Sequence, residues 1–206
     1  MYSQTITKST AAVLEKIAGV SAFANFYLAG GTALALQLGH RVSVDLDLFS
    51  PDRFSNADLK KTLASLGKFE VSGESQGTIN GILDNVKASF FYYDYKLLFP
   101  FVDFQKVRLA DERDIAAMKI SAVSSRGSRK DFIDIYFLLE KYALGELVAF
   151  FESKYKNIKY NKLHILKSLT YFEEADNEPM PKMLKSAEWG NVKEKIVKEA
   201  NRLLGE

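Results

Sequence analysis

Ser43, Asp45 and Asp47 alternate with Val42, Val44, Leu46 and Leu48. Period two sets the serine and both carboxylates on one face of a strand and the aliphatic side chains on the other. Carboxylates held that close repel unless a cation stands between them. Mg²⁺ (or Mn²⁺), a hard ion that takes carboxylate and phosphate oxygens together, suits the gap. Asp-x-Asp alone equally describes a half-buried strand with a solvated polar face, so what lies upstream decides. The apolar residues 26–29 read as a short strand, and Gly30 and Gly31 break it where backbone N–H groups can approach an anion closely. Thr32 suits the N-cap of a helix over 33–38 that Gly39 closes. The positive end of that helix would face the same point as the acids, which points to phosphate handling with a divalent metal.

A second constellation follows in the next half of the chain. On a helical wheel Lys119 falls between Ile115, Ala122 and Val123, on the apolar side of its helix. Burying an unpaired ammonium costs several kcal/mol, so this one either meets an anion or snorkels to water. The following helix opens Arg126-Gly-Ser-Arg129-Lys130-Asp131-Phe-Ile-Asp134. Asp134 lies one turn after Lys130, and the pair by itself could be an intrahelical ion pair, worth only about a few tenths of a kcal/mol.

The stretch from Leu28 to Ser50, GG-T-ALALQLGHR-x-S-x-D-L-D-LFS, is similar to the first motif of the AbiEii/AbiGii toxins, also called MenT-like. Asp114-Ile-Ala-Ala-Met-Lys119, followed by the segment from Arg126 to Asp134, resembles the later motifs of the same family in order and distance. These toxins belong to the nucleotidyltransferase superfamily with a DNA polymerase β type of catalytic core. The resemblance covers two blocks, about residues 26–50 and 111–140. It implies an Mg²⁺-dependent transfer of a nucleoside monophosphate from an NTP to an acceptor, expected to be RNA such as the 3′ end of a tRNA, by a toxin with a cognate antitoxin. It also implies the site: the triphosphate at Gly30, Gly31 and Thr32, the metal on Asp45 and Asp47, and Lys119 on the nucleotide phosphates. Arg41 would contact phosphate and Ser43 would line the site. Asp134 would either orient Lys119 or act as a base, with Lys130 and Asp131 beside it.

One departure stands out. Transferases of this superfamily usually place a third metal-binding acid on a nearby strand, and the candidate strand, Val86-Lys-Ala-Ser-Phe-Phe91, has none; Asp84, Asp94 and Asp103 are badly placed for it. That keeps two other readings open: a protein of the same fold that holds nucleotide or a partner without turnover, and a kinase-like phosphotransferase.

The elements that must position these residues follow from periodicity and punctuation. Helices are expected over 6–20, 56–66, 111–125, 128–142, 145–155, 161–172 and 189–204, and strands over 69–71, 78–83 and 86–93, with Asp84-Asn85 as a hairpin turn. Residues 100–108 add one more strand, and the acidic, proline-bearing 173–181 reads as a loop. The fold class is therefore α+β. A polymerase β-type core, a small mixed sheet flanked by helices, occupies 1–108, and an all-helical half over 109–206 contributes Lys119 and Asp134.

Composition bounds the rest. With 206 residues, 47% of them hydrophobic, the chain can bury a real core. A net charge of +2 means that any nucleic-acid surface must be local. The run from Ser153 to Thr170, with Lys154, Lys156, Lys159, Lys162, His164 and Lys167 around Tyr155 and Tyr160 and no acid, could hold an RNA backbone or be a solvated helix face. Cysteine is absent, which excludes disulfides, thiolate zinc sites and cysteine nucleophiles. The first residues lack a signal-peptide core and no window is long and apolar enough for a bilayer, so a cytoplasmic protein with no membrane partner is expected.

Overall fold

The computed structural model describes residues 1–205. A 3-10 turn at Ser3–Thr5 leads to α1 (Lys8–Ala18), capped by Thr7, whose hydroxyl accepts from the Thr10 amide. After a second 3-10 turn at Ser21–Phe23, β1 (Tyr27–Ala29) passes directly into α2 (Gly30–Leu38), which Gly39 ends in the left-handed region at φ +69°. β2 (Leu46–Ser50), α3 (Asn56–Leu66), β3 (Phe69–Ser75), β4 (Thr78–Leu83), β5 (Val86–Tyr92), β6 (Val102–Phe104) and β7 (Val107–Leu109) complete the sheet half. The remainder is helical: α4 (Glu112–Ser125), α5 (Arg129–Leu138), α6 (Leu144–Lys154), α7 (Lys162–Ser168), α8 (Glu173–Asp176) and α9 (Trp189–Leu204).

The strands form one mixed sheet in the order β3-β4-β5-β2-β1-β7-β6. β2 lies between β1, its antiparallel neighbour with Ala29 opposite Asp47, and β5, parallel to it with Ser89 opposite Asp47. Asp84 and Asn85 have φ of 48° and 65°, the left-handed pair that a two-residue hairpin turn requires. α1 packs on β5 and β7, and α3 on β3 and β4. α2 bridges the halves, touching β1 and β2 on one side and α4 and α5 on the other. The apolar core runs without a break from Leu14, Leu28 and Phe90 through Ile115 and Ile120 to Ile133 and Val148.

Several expectations shift. Thr32 is not the N-cap of α2, because the helix already begins at Gly30. β2 starts only at Leu46, so Ser43 and Asp45 precede the strand that holds Asp47. The reason lies in the backbone: the Val42 amide donates to Lys182 O and the Ser43 amide to Thr5 O, each at 2.8 Å, which ties both donors to segments outside the sheet. Residues 100–108 make a hairpin of two strands, not one, turning at Gln105 with φ 54°. The strand from Phe69 runs on to Ser75, α5 stops at Leu138, α7 is shorter than 161–172, and the presumed loop at 173–181 contains α8. Among the described residues no helix is long and apolar enough to cross a membrane.

Candidate active site

Where β1 runs into α2, the chain packs against the loop before β2, and the glycine pair makes that possible. Gly30 has φ +67°, and a Cβ there would sit 2.9 Å from Asp47 Oδ2. A Cβ on Gly31 would collide with Arg41 Nη2. Both positions must therefore lack a side chain to leave room for an acid and a guanidinium. Thr32 Oγ1 donates to the main-chain oxygen of Asp45 and lies 2.9 Å from Ser43 Oγ, so α2 fixes the irregular segment that presents Asp45.

From the helical half, α4 and α5 bring a buried ion-pair network. Lys119 Nζ is 2.7 Å from Asp131 Oδ1 and 2.6 Å from Asp134 Oδ2. Asp134 is fully buried, and its Oδ1 also accepts from Arg41 Nε and His40 Nε2, each at 2.7 Å, while its Oδ2 accepts from Arg41 Nη2 at 2.9 Å. Ser128, the N-cap of α5, donates to Asp131 Oδ2 at 2.7 Å. Burial opposes ionisation of Asp134, but the charges of Arg41 and Lys119 and the bonds from His40 and Arg41 hold its carboxyl well below the usual aspartate range. Burial alone would lower the Lys119 ammonium; Asp134 and Asp131 outweigh it and keep the group above its ordinary value. Lys119 thus meets two anions, and the partners of Asp134 are distant in sequence. Its bond is not to Lys130, one turn away.

The two constellations meet in one cleft of about 460 Å³. Gly31, Thr32, Arg41, Ser43, Asp45, Asp47, Lys119, Lys130 and Asp131 all line it, whereas Gly30 and Asp134 stand behind its wall. Arg126, Ser128, Glu178 and Pro179 also line it. Arg126 opens the second motif but has no periodicity to single it out, and Glu178 lies in the acidic segment read as a loop. Glu178 accepts from the Arg129 amide at 2.9 Å, which brings that segment to the start of α5.

Asp45 and Asp47 differ from every other acid in the cleft. Among the described residues neither carboxylate has a hydrogen-bonded or ion-paired partner, and burial together with the neighbouring Asp45 raises the Asp47 carboxyl above its ordinary value. An uncompensated pair of acids facing a cleft fits a divalent cation completed by phosphate oxygens. Within the described residues no group of three or more His, Asp or Glu is arranged to hold a metal unaided, and the position across from Asp47 on β5 is Ser89. The absence of a third acid on that strand is therefore real in three dimensions. Cleft charges balance, with Arg41, Lys119, Arg126 and Lys130 against Asp45, Asp47, Asp131 and Glu178. A triphosphate entering such a lining needs a cation brought with it.

Two members of the lysine-rich run are not available to RNA. Lys154 is fully buried and paired with Asp114 at 2.8 Å, and Tyr155 is buried against Tyr93, its hydroxyl 2.5 Å away. Lys162 pairs with Glu152 at 3.1 Å.

A family model for the nucleotidyl transferase AbiEii toxin of type IV toxin–antitoxin systems matches residues 12–103 and 93–202. An uncharacterized protein of Aquifex aeolicus (strain VF5) is 38% identical over 182 residues, covering 84% of this chain and 86% of that one. Among solved structures, an H. pylori protein assigned as a nucleotidyltransferase shares the fold, with a TM-score of 0.59 at 15% identity over 95% of this chain and 92% of that one. The residues that converge on the cleft and the match along nearly the whole chain lead to one conclusion: the protein is a nucleotidyltransferase and belongs to the AbiEii toxin family.

Proposed function

We propose that the protein transfers a nucleoside monophosphate from an NTP to a hydroxyl at the end of an RNA, and that it does so as a toxin held in check by a cognate antitoxin. The observation behind this reading is the meeting, in one cleft, of an unpartnered Asp45–Asp47 pair with a lysine clamped by two buried aspartates. The sheet half, residues 1–108, supplies the acids and the helical half, 109–206, the lysine. Asp45 and Asp47 would hold Mg²⁺ or Mn²⁺, which supplies charge neutralisation at phosphate oxygens and polarises the acceptor hydroxyl. An ammonium has three donors; Asp131 accepts one on Lys119 and Asp134 lies against the group as an ion pair, which leaves donor capacity for a phosphate oxygen. Asp134, saturated by Arg41, His40 and Lys119, is a positioning residue and not a base. Arg41 is occupied in the same way, so the further cations that can meet the triphosphate are Lys130 and the exposed Arg126, held only by a 3.5 Å contact to Asp131. The acceptor hydroxyl gives up its proton to solvent and its oxygen bonds to the α-phosphorus as the bond to pyrophosphate breaks, a reaction in which a protein contributes chiefly position and electrostatics.

The test is incubation with each labelled NTP, Mg²⁺ or Mn²⁺ and total RNA. Label on RNA that disappears in Asp45→Asn supports the reading. Ser89 facing Asp47 favours the alternative of a nucleotide-holding protein without turnover; nucleotide bound but never transferred would establish it. Label on polypeptide would indicate kinase-like transfer. Growth arrest on expression, relieved by the product of an adjacent gene, tests the antitoxin.

A further inference from the structure

A second cleft, of about 340 Å³, opens beside the first and shares Arg126 with it. Its walls are the last turn of α4 with Arg126 and Gly127 on one side and α7, Tyr171 and the start of α8 on the other. We propose that this cleft takes the base and ribose of the donor nucleotide while the first cleft takes its phosphates. The proposal rests on the reading of the first cleft as a triphosphate site.

The two clefts differ in chemistry as the two parts of a nucleotide do. The first is lined by charges and has no aromatic ring. The second is lined by Ser124, Ser125 and Ser168, whose hydroxyls donate to carbonyls of their own helices and can still accept, by His164 and Tyr171, by the cations Arg126 and Lys167, and by Glu174 as its single carboxylate. Hydroxyls and one carboxylate suit a ribose and the polar edge of a heterocycle; exposed rings suit its face. Its volume is at the lower end of small-ligand pockets, enough for a nucleoside.

Tyr171 is 59% exposed, while the adjacent Phe172 packs between Phe132 and Trp189. The Tyr171 hydroxyl donates to Glu173, which orients the ring while leaving its face open. Among the described residues neither Tyr171 nor His164 stacks on another aromatic ring. Arg126 stands on the shared rim: its side chain is 72% exposed, its Nε lies 3.5 Å from Asp131 Oδ2, and its charge acts on the Asp47 carboxyl. A guanidinium there reaches a phosphate next to the sugar from either side. One molecule with a charged end and a flat end fills both clefts.

The experiment is a calorimetric titration of the full-length protein, with Mg²⁺, against each NTP and against inorganic triphosphate. The wild type is expected to bind at least one NTP more tightly than triphosphate. Tyr171→Ala should weaken NTP binding about ten-fold, the loss of one stacked base, and leave triphosphate binding unchanged. Tyr171→Phe should retain the affinity because it keeps the ring. Tyr171 is exposed, so the variants should melt with the wild type. NTPs binding no better than triphosphate would overturn the proposal and leave the phosphate site standing. So would variants that bind every NTP normally but need more RNA, because the cleft would then serve the acceptor. Failure of both NTP and triphosphate to bind would remove the phosphate-site reading and this one with it.

Discussion

Asp134→Asn separates a positioning role from a chemical one. In the wild type its oxygens accept three hydrogen bonds of 2.7 to 2.9 Å from Arg41 and His40 and meet the Lys119 ammonium at 2.6 Å as an ion pair, all inside the protein. The substitution keeps the shape but removes the charge, leaving a buried guanidinium and ammonium with Asp131 as their remaining buried acid. Breaking a buried pair in this way costs about 3–5 kcal/mol, and the retained amide oxygen favours the lower end. A domain of this size shifts by about 2–4 °C per kcal/mol, so the melting temperature should drop by about 6–12 °C, with transfer activity falling as Lys119 loses its anchor. The pH dependence has a definite sign. The Asp134 carboxyl is depressed in the folded state, so its contribution is complete above the ordinary aspartate value of about 3.9 and is lost as pH falls through the depressed value. The gap between wild type and variant should therefore be constant at neutral pH and close only in strong acid. Adding Lys119→Met to Asp134→Asn should cost less than the two single changes together, because the orphaned cation is gone. Thermal and urea denaturation, run beside the label-transfer assay, measure all of this. An Asp134→Asn protein as stable as the wild type but inactive would refute the argument, since its charge would then be acting on the reaction.

Asp45→Asn should abolish transfer while leaving the metal-free protein as stable as the wild type or slightly more so, because one of two repelling acids is neutralised; a large loss of melting temperature would contradict this. Wild type, but not Asp45→Asn, should gain melting temperature on adding Mg²⁺ with NTP, since a ligand stabilises only the state that binds it. Mg²⁺ affinity should weaken as pH falls toward the raised value of Asp47, because protons compete for the same oxygens; a titration series flat from about pH 7 to about pH 4 would speak against Asp47 as a ligand. Gly31→Ala should destabilise by about 1–3 kcal/mol, because its Cβ would displace an Arg41 side chain pinned to Asp134 and unable to swing away.

Much of this was legible in the chain, for local reasons. The helix starts expected at 56, 111 and 128 fall within one residue of those found, where Ser55, Asp111 and Ser128 are the caps, and Asp84-Asn85 turns its hairpin, because capping and turn geometry are settled within four residues. The glycine pair and the helix bearing Lys119 were equally local, and two motif blocks were enough to indicate the family, whereas the strand expected through Ser43 and Asp45 begins only at Leu46. What the sequence could not decide is who pairs with whom. Arg41 and Asp134 are 93 residues apart, and nothing in the pattern near either says that one buries its charge on the other. The glycines follow suit: they read as an approach to phosphate, but their immediate need is space for Asp47 and Arg41. Lys154 read as a cation for RNA until the fold closed it on Asp114, 40 residues earlier. Arg126 and Glu178 reached the cleft without any periodic signal. In each case the deciding energy is the desolvation of a charge, and that depends on what the folded chain places around it, not on the neighbours it has in sequence.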